Sequence, residues 1–581
     1  MRSLIVILLG VLGVVRLDAK QHALLVGVSA YSAGEGRLNL EGPRQDIASF
    51  RRILVERLGL EPGNIHELVD RRATKANIME ALGRLTKALK AGDLLLFYFS
   101  GHGTSAFDAA NRPIAAVIGP NSGALVPYDL DMSSPEAVSG SLIIGHRDIR
   151  PMLQQVDRKA GVLVILDSCY SGNAAKAAGP AWEGPTRAIN LVAEMGSKVR
   201  AATGLSTSEG AVAAVAAEET DSYPYVNVVA FSAASKSEPA RDINTAMLQS
   251  GRFETFDGLP HGAFSNALFS ALEGPGDVNR DGQLTYGELF RATRESVQKH
   301  HRQTPQVQVP GEGVLSLPVF SLGTGVRPAS AEPVTARPSP AGAERKVRVR
   351  LAVEGASAGE RQQFSAIDDV GLTEGAHDLL VRREPSGWAL FHRSHFLIGR
   401  YATASFAELA GRIAAHGDVR MLEELQVPAP SFLLALDARP VGRKVEAGAP
   451  FSSHYRIGEE FSLLASLERQ AYLLVFNLDA RGKVEILLPS PREAQPIAAR
   501  KTTEILRVRA AAPAGTDIVR AFAFQERPED WDTFSCKQSN AGEVSCPEIL
   551  PGTPEFKRLL SLLRSAAGEQ ASAMLRLETV N

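Results

Sequence analysis

Two apolar runs, far apart in the chain, each end in a residue able to do covalent chemistry. Leu94–Ser100 leads through Gly101 into His102 and Gly103, and Val162–Leu166 leads through Asp167 and Ser168 into Cys169, with Gly172 close behind. A cysteine attacks a carbonyl carbon as its thiolate, so it needs an imidazole beside it to take the proton and later hand it to a departing amine. His102 and Cys169 are the candidates for base and nucleophile. The oxyanion of such a reaction needs backbone N–H donors, and the small, accessible backbone at Gly103 and at Cys169 is suited to supply them. Taken singly, a buried cysteine is usually a small core hydrophobe and a buried histidine a satisfied structural residue. The matched settings of the two are what favour chemistry.

Apolar runs of this length, bounded by Gly and Ser, read as strands buried on both faces, as in a parallel sheet. In open α/β sheets the reactive groups collect just past the carboxyl ends of the strands, which brings this pair to one sheet edge. From Gln21 to about Leu322 strands and helices alternate. A first strand is expected at His22–Val28, helices at Pro43–Leu58 and Thr74–Lys90, and the histidine-bearing strand at Asp93–Phe99. A connecting helix follows at Ile149–Val156, then the cysteine-bearing strand at Gly161–Leu166, a further strand at Val226–Ser232 and a helix at Gly262–Glu273. The expected fold class is α/β, a mostly parallel sheet flanked by helices. Between Gly172 and Pro224 the chain is rich in Ala and Gly with no steady period, and loops so long are rare unless functional or disordered.

Ser100-Gly101-His102-Gly103 after one core strand, and Asp167-Ser168-Cys169 with Ser171-Gly172 after the next, resemble the caspase-like cysteine peptidases. Animal caspases carry Gln two residues before the nucleophile and Arg just after it. This chain has Asp167 and Tyr170 there, which resembles the metacaspase side. The resemblance spans residues 20–323 and implies a caspase-like sheet and an endopeptidase that acts on protein or peptide substrates. It implies a Cys–His dyad whose base is steered by backbone rather than by an acid. It also implies a pocket for a basic side chain, Arg or Lys, before the scissile bond. Asp167 and Asp46 would recognise that side chain and Ser100 would line the same pocket, although Pro43 and Gln45 depart from the family pattern near Asp46. Without the resemblance, Asp46 is an ordinary first-turn helix residue favoured by the helix dipole. Relatives mature by cutting after the nucleophile strand. Here that stretch holds Arg187, Lys198 and Arg200 among small residues, and it reads as exposed, flexible and open to self-cleavage.

A second motif fits the calcium-loop pattern D-x-[DN]-x-[DN]-G-x5-E at every defined position, with Asp277, Asn279, Asp281 and Glu288 as side-chain ligands, Gln283 offering its carbonyl and Gly282 at the turn. Formal charge resides only on Asp277, Asp281 and Glu288, so the expected affinity is weak. The alternative is a polar loop that merely caps the helix of Glu288. The dyad itself requires no metal or cofactor.

At 581 residues the chain is too long for one core, and a formal net charge of −2 points to neither nucleic acid nor an anionic membrane as partner. Residues 1–19 read as a signal peptide: Arg2 precedes the apolar stretch Leu4–Val15, which is too short to span a bilayer, and a cut is expected near Ala19. The bulky Leu17 keeps an uncleaved anchor as the runner-up, and the lack of a nearby cysteine excludes a lipoprotein signal. The expected location is periplasmic or extracellular, with no membrane span apart from the leader. Residues 324–345 form a Pro/Ala-rich linker, 346–430 a small α+β segment and 431–581 a β-rich accessory domain. That last region resembles, through Tyr455–Glu459 and Tyr472–Phe476, an uncharacterised domain that accompanies bacterial caspase-like proteases. Of three cysteines, Cys536 and Cys546 are expected to pair in an oxidising compartment, leaving Cys169 free. The competing functions are a catalytically silent scaffold that binds partners and a calcium-responsive binding protein.

Overall fold

Six strands form the sheet that carries the site. In the computed structural model they are β1 (Gln21–Gly27), β2 (Ile65–Val69), β3 (Leu94–Ser100), β4 (Gly161–Asp167), β5 (Val228–Ser232) and β6 (Gln306–Gln308), in the order β6-β5-β4-β3-β1-β2. Neighbours run parallel except for β6, antiparallel at one edge. The structure describes residues 19–105, 123–169, 184–189, 191, 223–322 and 349–580, without 236–238, 252, 278–280, 302, 375–376, 393–396, 426, 428–431, 433, 443–453, 468, 480–482, 490–495, 499–501, 512–514, 539–543, 552 and 566–569. The first 18 residues of the expected leader and the linker at 324–345 lie outside it.

The core strands are apolar throughout because both faces are covered. Ala23, Leu25, Leu96, Tyr98, Leu163 and Ile165 pack with α1 (Gly42–Glu56), α4 (Ala263–Leu272) and α5 (Tyr286–His300). Leu24, Val26, Leu95, Phe97 and Val162 pack with α2 (Lys75–Ala88) and α3 (Arg150–Val156). On the first face the rings of Phe50, Tyr98 and Phe269 meet at 5.0–6.2 Å, in tilted and edge-on contacts that add about 0.5–1.5 kcal/mol per pair to their burial. Local signals set the helix starts. Thr74 caps α2 by accepting from the Asn77 amide, and Thr285 and Glu288 form a capping box at the start of α5.

Register places the two chemical residues. Ser100 on β3 pairs with Asp167 on β4, so His102 and Cys169 each lie two residues beyond the same rung of the sheet.

Past the linker, β7 (Val349–Glu354), β8 (Val370–Leu372), β9 (Leu379–Glu384), β10 (Gly387–His392) and β11 (Leu397–Ala402) form a five-stranded sheet in the order β8-β7-β9-β10-β11, accompanied by α6 (Ala358–Ser365) and α7 (Phe406–Glu424). The remainder is β-rich, with β12 (Leu434–Pro440), β13 (Glu460–Leu467), β14 (Tyr472–Leu478), β15 (Val484–Leu488), β16 (Thr502–Arg509), β17 (Gly515–Phe524) and β18 (Gln570–Val580). One sheet is β12-β13-β16, and the larger one is centred on β18-β17-β14-β15 with helix α8 (Pro554–Ser565) against it. Cys536 and Cys546 are joined in a disulfide. Arg294 of α5 donates to Asp437 at 2.9 Å, and Arg576 of β18 to the His301 carbonyl at 3.2 Å, so this region is tied to the end of α5. No helix among the described residues is long and apolar enough to cross a membrane.

Candidate active site

His102 is held from two sides. Its Nε2 lies 2.9 Å from the Leu38 carbonyl, and its backbone amide donates to the Tyr31 hydroxyl at 2.7 Å while the two rings pack at 5.1 Å. The carbonyl can only accept, so Nε2 carries the proton and Nδ1 is left as the basic nitrogen. Nδ1 is buried, and among the described residues it has no hydrogen-bond partner. A backbone carbonyl thus does the steering, and among the described residues no acid bonds to that nitrogen. Cys169 is fully buried at the end of β4, and its Sγ accepts from the Ala240 amide at 2.8 Å. The two strand-end loops touch: a Cβ on Gly103 would stand 2.2 Å from the Cys169 carbonyl oxygen, so only glycine permits this approach. Burial pushes the Cys169 thiol up to about 12 and the His102 imidazole down to about 4. With the cleft closed the pair is therefore a neutral thiol and a neutral imidazole.

The cleft is closed by the chain itself. Residues 185–189 lie across it in extended form: the Arg187 amide donates to the Ala240 carbonyl at 2.9 Å, Asp242 N to the Pro185 carbonyl at 3.1 Å, and Ile189 N to the Gly103 carbonyl at 3.3 Å. Thr186 bridges antiparallel to Arg241, and Ala188 bridges parallel to Gly103. The Arg187 carbonyl oxygen accepts from Gly103 N at 3.0 Å and from Cys169 N at 3.3 Å, the two amides named as oxyanion donors from the sequence.

The exposed setting expected for Arg187 is corrected by the structure, in which its side chain is 0% exposed. Carboxylates from three separate segments draw it in. Nη2 reaches Asp46 Oδ2 and Asp242 Oδ1, each at 2.7 Å; Nε reaches Asp242 Oδ1 at 3.1 Å; Nη1 reaches Ser100 Oγ at 2.7 Å and Asp167 Oδ2 at 3.1 Å. Asp46, Ser100 and Asp167, the three residues proposed for a basic pocket, therefore converge on one guanidinium. Ser265 completes the shell by donating its amide and hydroxyl to Asp167 Oδ2, at 3.0 and 2.5 Å.

Burial acts against every charge here, and partners decide the result. For Asp46 the Arg187 charge, His261 and Ser100 outweigh burial and hold its carboxyl below the ordinary value. Asp167 goes the other way, pushed up to about 6 by burial and by the negative Asp46, with Arg187 pulling against them. His261 bridges Asp46 Oδ1 at 2.8 Å and Asp257 Oδ1 at 2.9 Å, and these carboxylates raise its pKa despite burial. Both its ring nitrogens thus face carboxylate oxygens beneath the pocket, a setting that favours the protonated ring.

Asp242, His261, Tyr31 and the Leu38 and Ala240 backbone were not foreseen as site members. No local pattern marks them, and they arrive through the pairing of Asp242–Ile243 with His261–Gly262 and through loop carbonyls. Lys198, Arg200 and Asn279 lie outside the described residues. The remaining members of the calcium motif lie in their own loop: Asp277 accepts from Asp281 N and Gly282 N, Asp281 from Gln283 N, and Glu288 from Thr285. Among the described residues no group of three ligating side chains is arranged to hold a metal ion.

A sheet with a Cys–His pair past adjacent parallel strands defines the caspase class of fold and site. Residues 20–311 match the family model of the caspase domain, half of the chain, and the chain belongs to that family. Residues 454–527 match a domain of unknown function, DUF4384. Among similar proteins, Metacaspase-6 of Arabidopsis thaliana is 29% identical over 160 residues, covering 26% of this chain and 38% of the relative. Metacaspase-1A of Aspergillus clavatus is 25% identical over 318 residues, 50% of this chain and 66% of the relative, and Metacaspase-1 of Schizosaccharomyces pombe 23% over 306 residues, 50% and 67%. The chain thus spans about a third to two thirds of the length of the curated relatives it matches.

Proposed function

We propose that the protein is a cysteine endopeptidase that cleaves after basic residues, and that its own Arg187–Ala188 bond is its first substrate. One observation carries this reading: Arg187 has its side chain among the acids and its carbonyl oxygen on the Gly103 and Cys169 amides, the position of a residue about to be cut. In the step proposed, Sγ of Cys169 bonds to the Arg187 carbonyl carbon and its proton passes to Nδ1 of His102. The oxyanion is held by the two amides. Collapse breaks the bond to the Ala188 nitrogen, which takes the proton from His102, and a water activated by the same imidazole then releases the acyl group from sulfur. Until the cut, residues 185–189 would exclude other substrates. A silent scaffold would lack this turnover. Incubation of wild type and Cys169→Ala under mild reduction, followed by N-terminal sequencing, is expected to give a new terminus at Ala188 in the wild type alone. Termini only after Lys198 or Arg200, equal fragments from both chains, or intact wild type would remove cleavage at Arg187.

The charged leader and the disulfide support an exported protein, periplasmic or extracellular. Weak calcium binding at Asp277, Asn279, Asp281, Gln283 and Glu288 also belongs to the proposal. Supporting it, Gly282 holds the positive φ of +78° that the turn requires, and among the described residues Oε1 of buried Glu288 has no hydrogen-bond partner. Millimolar calcium is expected to raise the melting temperature of wild type and not of Glu288→Gln, with Kd on the order of 10⁻⁴–10⁻³ M. An equal response of both chains would rule the site out.

A further inference from the structure

We infer that Asp242 makes this pocket selective for arginine over lysine, an inference that rests on the basic specificity proposed above. All three nitrogens of the Arg187 guanidinium are engaged, and Asp242 Oδ1 alone accepts from two of them, Nε at 3.1 Å and Nη2 at 2.7 Å. In lysine a methylene stands where arginine has Nε, and a single ammonium stands near the guanidinium carbon. A lysine in the same seat would leave Asp242, which is fully buried, facing CH₂, and could not extend to Asp46 and Ser100 at full hydrogen-bond distance on both sides.

The walls agree with the donors. A Cβ on Gly262 would lie 2.6 Å from the Arg187 Cζ, and a Cβ on Gly42 2.6 Å from its Nη2, so bare backbone closes on the guanidinium from two directions. The Gly42 amide also donates to Asp242 Oδ2 at 3.3 Å, and Asp242 pairs with Gly262 in a short antiparallel bridge. The selector is thus mounted on the same two glycine-bearing segments that shape the slot. Asp46 and Asp167 supply negative charge that either cation can use, whereas Asp242 reads the position of Nε.

The test compares matched peptides that differ only in Arg or Lys before the scissile bond. It uses the full chain in which residues 185–188 are replaced by the recognition sequence of an unrelated protease and cut there beforehand, which frees the cleft of the tethered segment and its backbone bonds whether or not the chain cuts itself. The expected kcat/KM ratio of Arg to Lys is at least about 30, falling to within about 3 when Asp242→Ala is added, mostly through loss on the Arg peptide. Asp242→Asn, which keeps an acceptor oxygen, is expected to fall between. Both peptides are measured on one preparation, so any unfolded fraction cancels from the ratio. Equal efficiency on both peptides before Asp242 is changed, or a ratio that survives Asp242→Ala, overturns the assignment and leaves basic specificity standing. Cleavage of neither peptide, or cleavage only after other residues, overturns both.

Discussion

Cys169→Ala is expected to abolish cleavage of the chain and of added peptides while leaving the sheet intact. The substitution removes the one atom that attacks, and no other free thiol can take its place, because Cys536 and Cys546 are bound to each other. A loss of about 10⁴-fold or more is anticipated, and His102→Ala should lose about as much, since members of one catalytic unit fail together rather than additively. The structural cost is small. The Ala240 amide loses the sulfur it donates to, which costs about 1–3 kcal/mol if it stays dry. Circular dichroism should match wild type, and normal turnover by a folded Cys169→Ala chain would sink the peptidase reading.

The second large effect lies in the charge of the pocket. A peptide with Asp before the scissile bond would set a fourth carboxylate among Asp46, Asp167 and Asp242, all fully buried, and should not be cleaved. Like charges forced together in such a place cost several kcal/mol, a discrimination of about 10³-fold or more. Asp167→Asn should weaken Arg peptides by about 10–100-fold. The pH dependence follows from the same residue. With Arg187 in place the Asp167 carboxyl sits at about 6, raised above its ordinary value, so below that pH it is protonated and its share of the attraction is gone. An empty pocket lacks the cation that pulls this value down. Efficiency on Arg peptides should therefore fall as pH drops through a value at or above 6, and that inflection should vanish in Asp167→Asn. A profile peaking at Asp, or an unchanged inflection, would show that the pocket is misassigned.

The placement of His102 and Cys169 past neighbouring strand ends was legible because strands buried on both faces are written as unbroken apolar runs, and such runs end sharply at these two residues. The Arg187 setting was not. Its neighbours along the chain are small residues that suggest exposure, and the carboxylates that bury it come from positions 46, 167 and 242, each ordinary in its local context. The strand β18 shows another limit. Ala571, Ala573, Leu575 and Leu577 face one core while Met574 faces the other, so the alternation expected of a half-buried strand is blurred by burial on both sides.

The order of the central sheet has a consequence for what a nicked molecule would be. β4 and β5 lie side by side, paired from Val162 with Val228 to Leu166 with Ser232, yet the connection between them runs through Arg187. Severing that connection would make two polypeptides that meet side by side in one sheet, β6-β5 of the second beside β4-β3-β1-β2 of the first. Their contents are unequal: His102, Cys169, Asp46, Ser100 and Asp167 fall on the first piece, Asp242, His261 and Gly262 on the second. The reacting atoms would then belong to one polypeptide and part of the recognition surface to the other, making the mature particle an obligate heterodimer born from a single chain, with neither piece able to read its substrate alone.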